Sequence, residues 1–264
     1  MTTDMPVLYG DEYLAVVDKP AGLMVHDSGL ARGERDFAAD RLRLQFGRPI
    51  HLIHRLDRAT SGCLLLAFDR DSAGQLGRQF MAGSVDKSYL ALARGWPSAD
   101  AFEIDHPLDG GPGKPLKKPA LTRIRVLARG ELDEPAAGFA TSRYALLECC
   151  PQTGRFRQIR RHLKHVDHHL IGDTSHGDGR RNRAFRLRGI RRMLLHAWRL
   201  QFQHPHRDES LLIQAPLDPV FTRVLQLFGW SELQLPQAQQ TAVHAGIGHN
   251  TGIALDTSEA PEIL

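Results

Sequence analysis

The sequence predicts an α+β protein: a mixed, largely antiparallel sheet with flanking helices and a basic cleft crossing it. Three observations carry that expectation. Strand-like apolar segments recur at irregular intervals, without the regular strand–helix alternation of a parallel sheet. Only two segments show strong helical spacing, and positive charge is concentrated in one tract of the chain.

Val7–Tyr9 and Tyr13–Val17 flank Gly10-Asp11-Glu12 and read as a hairpin that ends at the turn Lys19-Pro20-Ala21-Gly22. Cys63–Phe68 is a continuous apolar run that suits a strand buried on both faces. Lys87–Arg94, Thr122–Leu127, Arg143–Cys149 and Met193–Phe202 read as further strands. Helical spacing links Ala73, Leu76, Phe80 and Met81. It also links Val220, Phe221, Val224, Leu225 and Phe228, which follow the N-terminal signal Asp218-Pro219. Residues 109–119 hold too many Gly and Pro for a helix or central strand and are expected to form a surface loop. From Ser231 onward the chain has four acids, no Lys or Arg and no aromatic residue, so 231–264 is expected to be a disordered tail behind one catalytic unit at 5–230.

With 264 residues, 42% of them apolar, the chain is long enough to bury a sizeable core. No charged-then-apolar leader opens it, and its longest apolar run is far too short to cross a bilayer. Three cysteines, Cys63, Cys149 and Cys150, match neither a disulfide framework nor a metal-ligand spacing, so a soluble cytoplasmic protein is expected. The net charge of +4 is lopsided: residues 155–199 carry twelve Arg and one Lys against three acids, so the remainder is net acidic. Of the 34 basic residues 28 are Arg, whose planar fork binds phosphate bidentately and stacks on bases. The bland alternative is a solvated Arg-rich face. His162, His165, His168 and His169, near Asp167 and Asp173, suggest a metal-dependent phosphoesterase, but HExxH is absent and the neighbouring cations would repel a metal. No metal is expected. Neither is a nucleotide cofactor, since no GxGxxG or GxxxxGK[ST] occurs.

The densest chemical signal is His54-Arg55-Leu56-Asp57-Arg58-Ala59-Thr60-Ser61-Gly62, set directly before the buried strand. An Asp between two Arg on a loop fixed to a rigid element suits a carboxylate in a positively charged cleft. As bare chemistry a surface salt-bridge loop is the favoured reading.

His54–Gly62 resembles the HRLD-x-x-TSG signature of the RluA-type pseudouridine synthases. Lys19–Leu23, Lys87-Ser88-Tyr89, Thr153–Arg160, Ile171-Gly172-Asp173 and Leu194-Leu195-His196-Ala197 agree with that family in the same order, over roughly residues 5–230. Ala93–Trp96, His176-Gly177-Asp178 with Arg181-Asn182-Arg183, and Phe228-Gly229-Trp230 are similar to a tRNA-modifying branch of it. Two positions depart: Arg157 stands where the family usually has His, and Ala59 where this branch often has Pro.

The resemblance implies isomerisation of uridine to pseudouridine without a cofactor, in an RNA-binding cleft. Asp57 would be the essential carboxylate, Arg160 the cation that opposes its desolvation, and Tyr89 the ring that stacks on the extruded uracil. Leu195 would supply an apolar wall and Arg55 would fill the space left by the flipped base, while Arg155, Arg157, Arg181 and Arg183 would contact RNA. The branch likeness implies tRNA, at the uridine of position sixty-five. The sheet begins near Val7, leaving no room for the small basic domain that many ribosomal-RNA members carry first, so recognition is expected from the catalytic domain of a monomer. The alternatives are a ribosomal-RNA pseudouridine synthase and a non-catalytic RNA-binding protein of the same fold.

Overall fold

The computed structural model describes residues 4–26, 35–133, 140–233 and 235. Strands β1 (Val7–Gly10) and β2 (Leu14–Lys19) form the expected hairpin, followed by α1 (Ala38–Phe46), the two-residue β3 (His51–Leu52) and β4 (Ser61–Ala67). Helix α2 (Arg70–Ala82) leads into β5 (Asp86–Arg94), β6 (Ala101–Asp105), β7 (Leu121–Leu132) and β8 (Ser142–Pro151). Helices α3 (Gln158–His165) and α4 (Gly179–Leu187) precede β9 (Leu195–Gln203), β10 (Ser210–Gln214) and α5 (Pro219–Leu227).

Among the described residues these strands make one sheet, ordered β1-β2-β4-β9-β5-β8-β7-β6, with β10 beside β9 and β3 beside β4. Every pairing is antiparallel except β4 with β9. The fold is therefore α+β with a mixed, mostly antiparallel sheet. Alternation along the strands sorts the core onto two faces. Ala15, Val17, Leu64, Leu66, Ala91, Ala93, Leu195 and Ala197 face α1 and α3. Leu14, Val16, Cys63, Leu65, Leu90, Leu92, Trp198 and Leu200 face α2, α4 and α5. All seven residues of β4 are buried, as its uninterrupted apolar run requires, and each of its leucines contributes about 1.5–3 kcal/mol of transfer free energy.

Both helices expected from spacing are present. Asp69 caps α2 by accepting from the Ser72 amide at 2.8 Å, and Asp218 caps α5 by accepting from the Val220 and Phe221 amides at 2.9 Å. Met81 departs from its expected place: Ala73, Leu76 and Phe80 face the core, whereas Met81 is 82% exposed. Six elements are not legible in the sequence: α1, α3, α4, β3, β6 and β10. In α4 only Asn182 and Phe185 of nine residues are buried, so no apolar stripe exists to be read. Strand β7 runs on to Leu132 past a bulge between Val126 and Ala128, which breaks the alternation that predicts a strand ending at Leu127. Strand β9 starts at Leu195, not Met193. Residues 109–119 form the expected loop, closed by a bridge between Leu108 and Lys118. Of the segment from Ser231, Leu233 and Leu235 pack against the cluster around α5; most of the expected tail lies outside the described residues. No described helix is long and apolar enough to cross a membrane.

The parallel contact of β4 with β9 rests on two register pairs, Ser61 with His196 and Gly62 with Ala197. Gly62 has φ +107°, and a methyl group there would sit 2.2 Å from the Ala197 carbonyl oxygen. Only a residue without Cβ admits this approach. Gly62→Ala is expected to destabilise the fold by about 2–4 kcal/mol, read as a lowered urea midpoint at unchanged m-value. A midpoint equal to that of the parent would show that the strands separate without cost.

Candidate active site

Asp57 lies on the loop that enters β4, and the turn Lys19–Leu23 holds that loop in place. The Gly22 amide donates to the Arg58 carbonyl at 2.8 Å, and Arg58 Nε donates back to the Gly22 carbonyl at 2.9 Å. Gly22 has φ +94°, which the turn needs. The fully buried Lys19 ammonium donates to the carbonyls of Pro20 and Leu23 at 2.8 Å and of Arg58 at 3.3 Å. Burial, reinforced by the charge of Arg192, brings its pKa down to about 7. On the other side of the loop the His54 ring stacks on Phe80, and its Nε2 accepts from the Leu65 amide at 3.0 Å. Where the loop joins β4, Ser61 Oγ bonds His196 Nδ1 at 2.8 Å and accepts from Arg192 Nη2 at 2.8 Å, and Arg192 is also paired with Asp218.

Arg160 projects from α3 across to this loop. Its Nη1 donates to Asp57 Oδ2 at 2.8 Å, while Nε and Nη2 bind both oxygens of Asp173 at 2.6 and 2.8 Å. The two carboxylates sit in different surroundings: the side chain of Asp173 is 0% exposed and that of Asp57 is 21% exposed. Asp173 also accepts from the amides of Ser175 and His176 at 2.9 Å. Burial alone would raise the Asp173 pKa, but Arg160 and these two amides overcome it and hold the group below the usual carboxylate range. A fully paired Asp173 therefore anchors the guanidinium, and Asp57 is the partner that faces open space.

That space is a cavity of about 960 Å³ between the Asp57 loop, the end of α2, β5 and the segment 151–160. Tyr89 and Leu195 form part of its wall, with Leu195 only 4% exposed. Burial, with Asp57 adding to it, pushes the Tyr89 phenol pKa upward, so the hydroxyl stays protonated at neutral pH. Arg55, Arg155 and Arg157 line the same cavity. Arg155 Nε donates to the Pro119 carbonyl at 2.9 Å, and Arg157, left-handed at φ 51°, spreads over the Phe156 ring at 4.8 Å. Buried Gln158 fixes this turn by accepting from Thr153 Oγ1 at 2.7 Å and from the Arg155 amide at 2.9 Å.

Arg181 and Arg183 are not among the residues lining the cavity. Arg183 is exposed on α4, and Arg181 is half-buried with its guanidinium 5.8 Å from the Tyr144 ring centre. The four histidines disperse into separate contacts. His162 bonds Thr122 and the His106 carbonyl, His165 stacks on His106, His168 bonds the Arg94 carbonyl, and His169 lies 3.5 Å from Asp167. Among the described residues no group of three or more His, Cys, Asp or Glu is placed to hold a metal. The supporting roles of Lys19, Gln158 and Asp173 are not legible in the sequence, although all three lie within the segments that carry the family resemblance.

One open carboxylate, a protonated phenol and several guanidiniums around a single cavity define an enzyme site suited to a polyanionic substrate. A family profile described as RNA pseudouridylate synthase matches residues 13–165. The chain is 41% identical over 244 residues to a protein named tRNA pseudouridine synthase C from Vibrio cholerae, covering 89% of this chain and 100% of that one. A protein of the same name from Salmonella typhi is 41% identical over 239 residues, covering 87% and 92%. Among solved structures, human RNA Pseudouridylate Synthase Domain Containing 4 superposes with a TM-score of 0.66 at 27% identity, over 88% of this chain and 95% of that chain. The chain belongs to the RNA pseudouridylate synthase family and is an isomerase.

Two imidazoles bracket the loop and β4, and both are held neutral. Burial, with Lys87 adding for His54 and Arg192 for His196, brings each pKa down to about 4. Their unfolded value is about 6.5, so below that pH the unfolded chain takes up protons that the folded chain refuses. The stability contributed by these two rings is therefore expected to be at its full level above pH 6.5 and to fall as pH drops toward 4. Urea midpoints measured across that range check this, and His196→Gln should flatten the fall.

Proposed function

We propose that this chain converts uridine to pseudouridine in folded tRNA, with Asp57 as the essential carboxylate. The reaction breaks the N1–C1′ bond, turns the base, forms the C1′–C5 bond and moves the C5 proton, in net, to N1. The single observation that carries the reading is the three-way contact of Arg160 with Asp57 and Asp173, which aims one carboxylate into a cavity roomy enough for an extruded nucleotide. Arg160 orients Asp57 and compensates its charge once the base seals the cavity from water. Tyr89 stacks on the uracil and, as a neutral phenol, can relay the C5 proton by taking it up while passing its own proton on. Leu195 closes the apolar side. Arg55 fills the gap left by the extruded base, and Arg155 and Arg157 hold flanking phosphates.

The proteins named tRNA pseudouridine synthase C support tRNA as the substrate class, and the resemblance in sequence points to the uridine at position sixty-five. Residues 5–230 act in this reading as one catalytic unit, in the cytoplasm and as a monomer. Deleting the gene, mapping pseudouridine across total tRNA and ribosomal RNA, and restoring wild-type or Asp57→Ala protein tests the assignment. Loss at one tRNA position, restored by wild type alone, is expected; loss confined to ribosomal RNA overturns the tRNA substrate while leaving the chemistry.

Asp57→Asn is expected to abolish turnover while RNA affinity changes by less than about tenfold, or about 1.4 kcal/mol, because this carboxylate is not a phosphate contact. Arg160→Lys keeps the charge but cannot bridge two carboxylates, so kcat should fall more than affinity. Equal losses in both would assign Arg160 to phosphate binding instead.

A further inference from the structure

Helix α4 carries charge that the cavity does not use. Between Gly179 and Arg191 the chain has six Arg and no acid. Helical periodicity puts Arg180, Arg183, Arg186 and Leu187 on one face, and Arg181, Asn182 and Phe185 on the other. The three arginines of the outer face are exposed, and they make no ion pair among the described residues. Leu187, set among them, is 84% exposed. A like-charged helix face of this kind is self-repelling, and neutralising it on binding is favourable.

The inner face shows that α4 is held as a rigid part. Phe185 packs with Leu90, Leu92 and Trp198, on the face of the sheet opposite Tyr89 and Leu195. Asp178 caps the helix at the Arg180 amide and accepts from Arg94 Nη1 of β5, both at 2.9 Å. Asn182 accepts from the Gly172 amide at 2.7 Å and donates to the Asp173 carbonyl at 2.8 Å. Asp173 is the residue that anchors Arg160. The outer arginines are thus fixed relative to the ion pair at Asp57 through one continuous chain of hydrogen bonds, although they lie outside the cavity.

We infer that the outer face of α4 is a second RNA contact, which takes the sugar–phosphate backbone of a part of the folded substrate away from the target nucleotide. The inference rests on the RNA-modifying reading but not on which RNA is modified. Arginines three residues apart along one face can each reach a different backbone phosphate, and Leu187, at the C-terminal end of the helix, adds an apolar contact for sugar. A rigid reader of distant backbone would let the catalytic fold itself tell a folded RNA from an unstructured strand that merely offers a uridine.

The test compares wild type with Arg180→Gln/Arg183→Gln/Arg186→Gln protein by fluorescence anisotropy over a KCl series. The probes are a full-length tRNA transcript and a short hairpin carrying only the target stem. On the full transcript the slope of log affinity against log salt is expected to shrink by about two to three units, near 0.9 for each duplex phosphate no longer neutralised. On the hairpin it should stay the same, and Arg180→Lys/Arg183→Lys/Arg186→Lys should restore the slope on the full transcript. An unchanged slope on the full transcript overturns the inference, as does an equal change on both RNAs, which would put these arginines at the cavity. Running the series in parallel on ribosomal-RNA fragments separates this outcome from failure of the tRNA assignment, because the slope change then appears on the RNA that the enzyme modifies.

Discussion

The structure depends on one buried guanidinium with two carboxylates. Arg160 is nearly sealed from solvent, and a cation in that position is tolerated only if its donors are met by fixed acceptors. Asp173 meets two of them and is locked by backbone amides, so the third direction of the fork is set before any substrate arrives. Asp57 occupies that direction. The carboxylate is consequently oriented by the interior of the protein and not by the ligand, which is the meaning of a preorganised site in physical terms.

Preorganisation extends outward through groups that do no chemistry. Lys19 ties the carbonyl of Arg58 to the turn that follows β2, and Gln158 ties the turn bearing Arg155 and Arg157 to β7. His54 and His196 do the same from the two ends of the loop, as uncharged rings whose nitrogens bond to β4. Each of these contacts crosses between segments apart in sequence. The cavity is therefore a property of the whole sheet, and a change at its supports acts on the site as directly as a change in its lining.

Features set by local rules are legible in the sequence. The β1–β2 hairpin, the cap Asp218, the buried run of β4 and the breaker-rich 109–119 loop each follow from a few adjacent residues. The motif segments point to Asp57, Tyr89, Arg160 and Leu195, and the structure brings those four around one cavity. Long-range packing decides the rest. Helix α4 is held by Asn182, Phe185 and Arg94, not by an apolar stripe, so its periodicity leaves no trace in the sequence. For the same reason Arg181 and Arg183 look alike in sequence, yet one turns toward Tyr144 and the other to solvent. Asp173 stands beside the histidines in sequence and so suggests a metal ligand, whereas its true partner is thirteen residues away on a different element.

The narrow parallel joint between β4 and β9 also fixes when the enzyme comes into being. Ser61 and His196 are separated by 135 positions, and Asp57 and Arg160 by 103. Contacts across such spans close late, since the loop entropy must be met before they return any stabilisation. During synthesis the β1–β2–β3–β4 part leaves the ribosome long before β9 does, and the Ser61–Gly62 end of β4 then still lacks its β9 partner. A chain that ends before β9 lacks Leu195 and the strand that Ser61 and Gly62 pair with, so its cavity is incomplete. The last central strand in the sequence therefore supplies both a wall of the cavity and the joint that holds the end of the Asp57 loop.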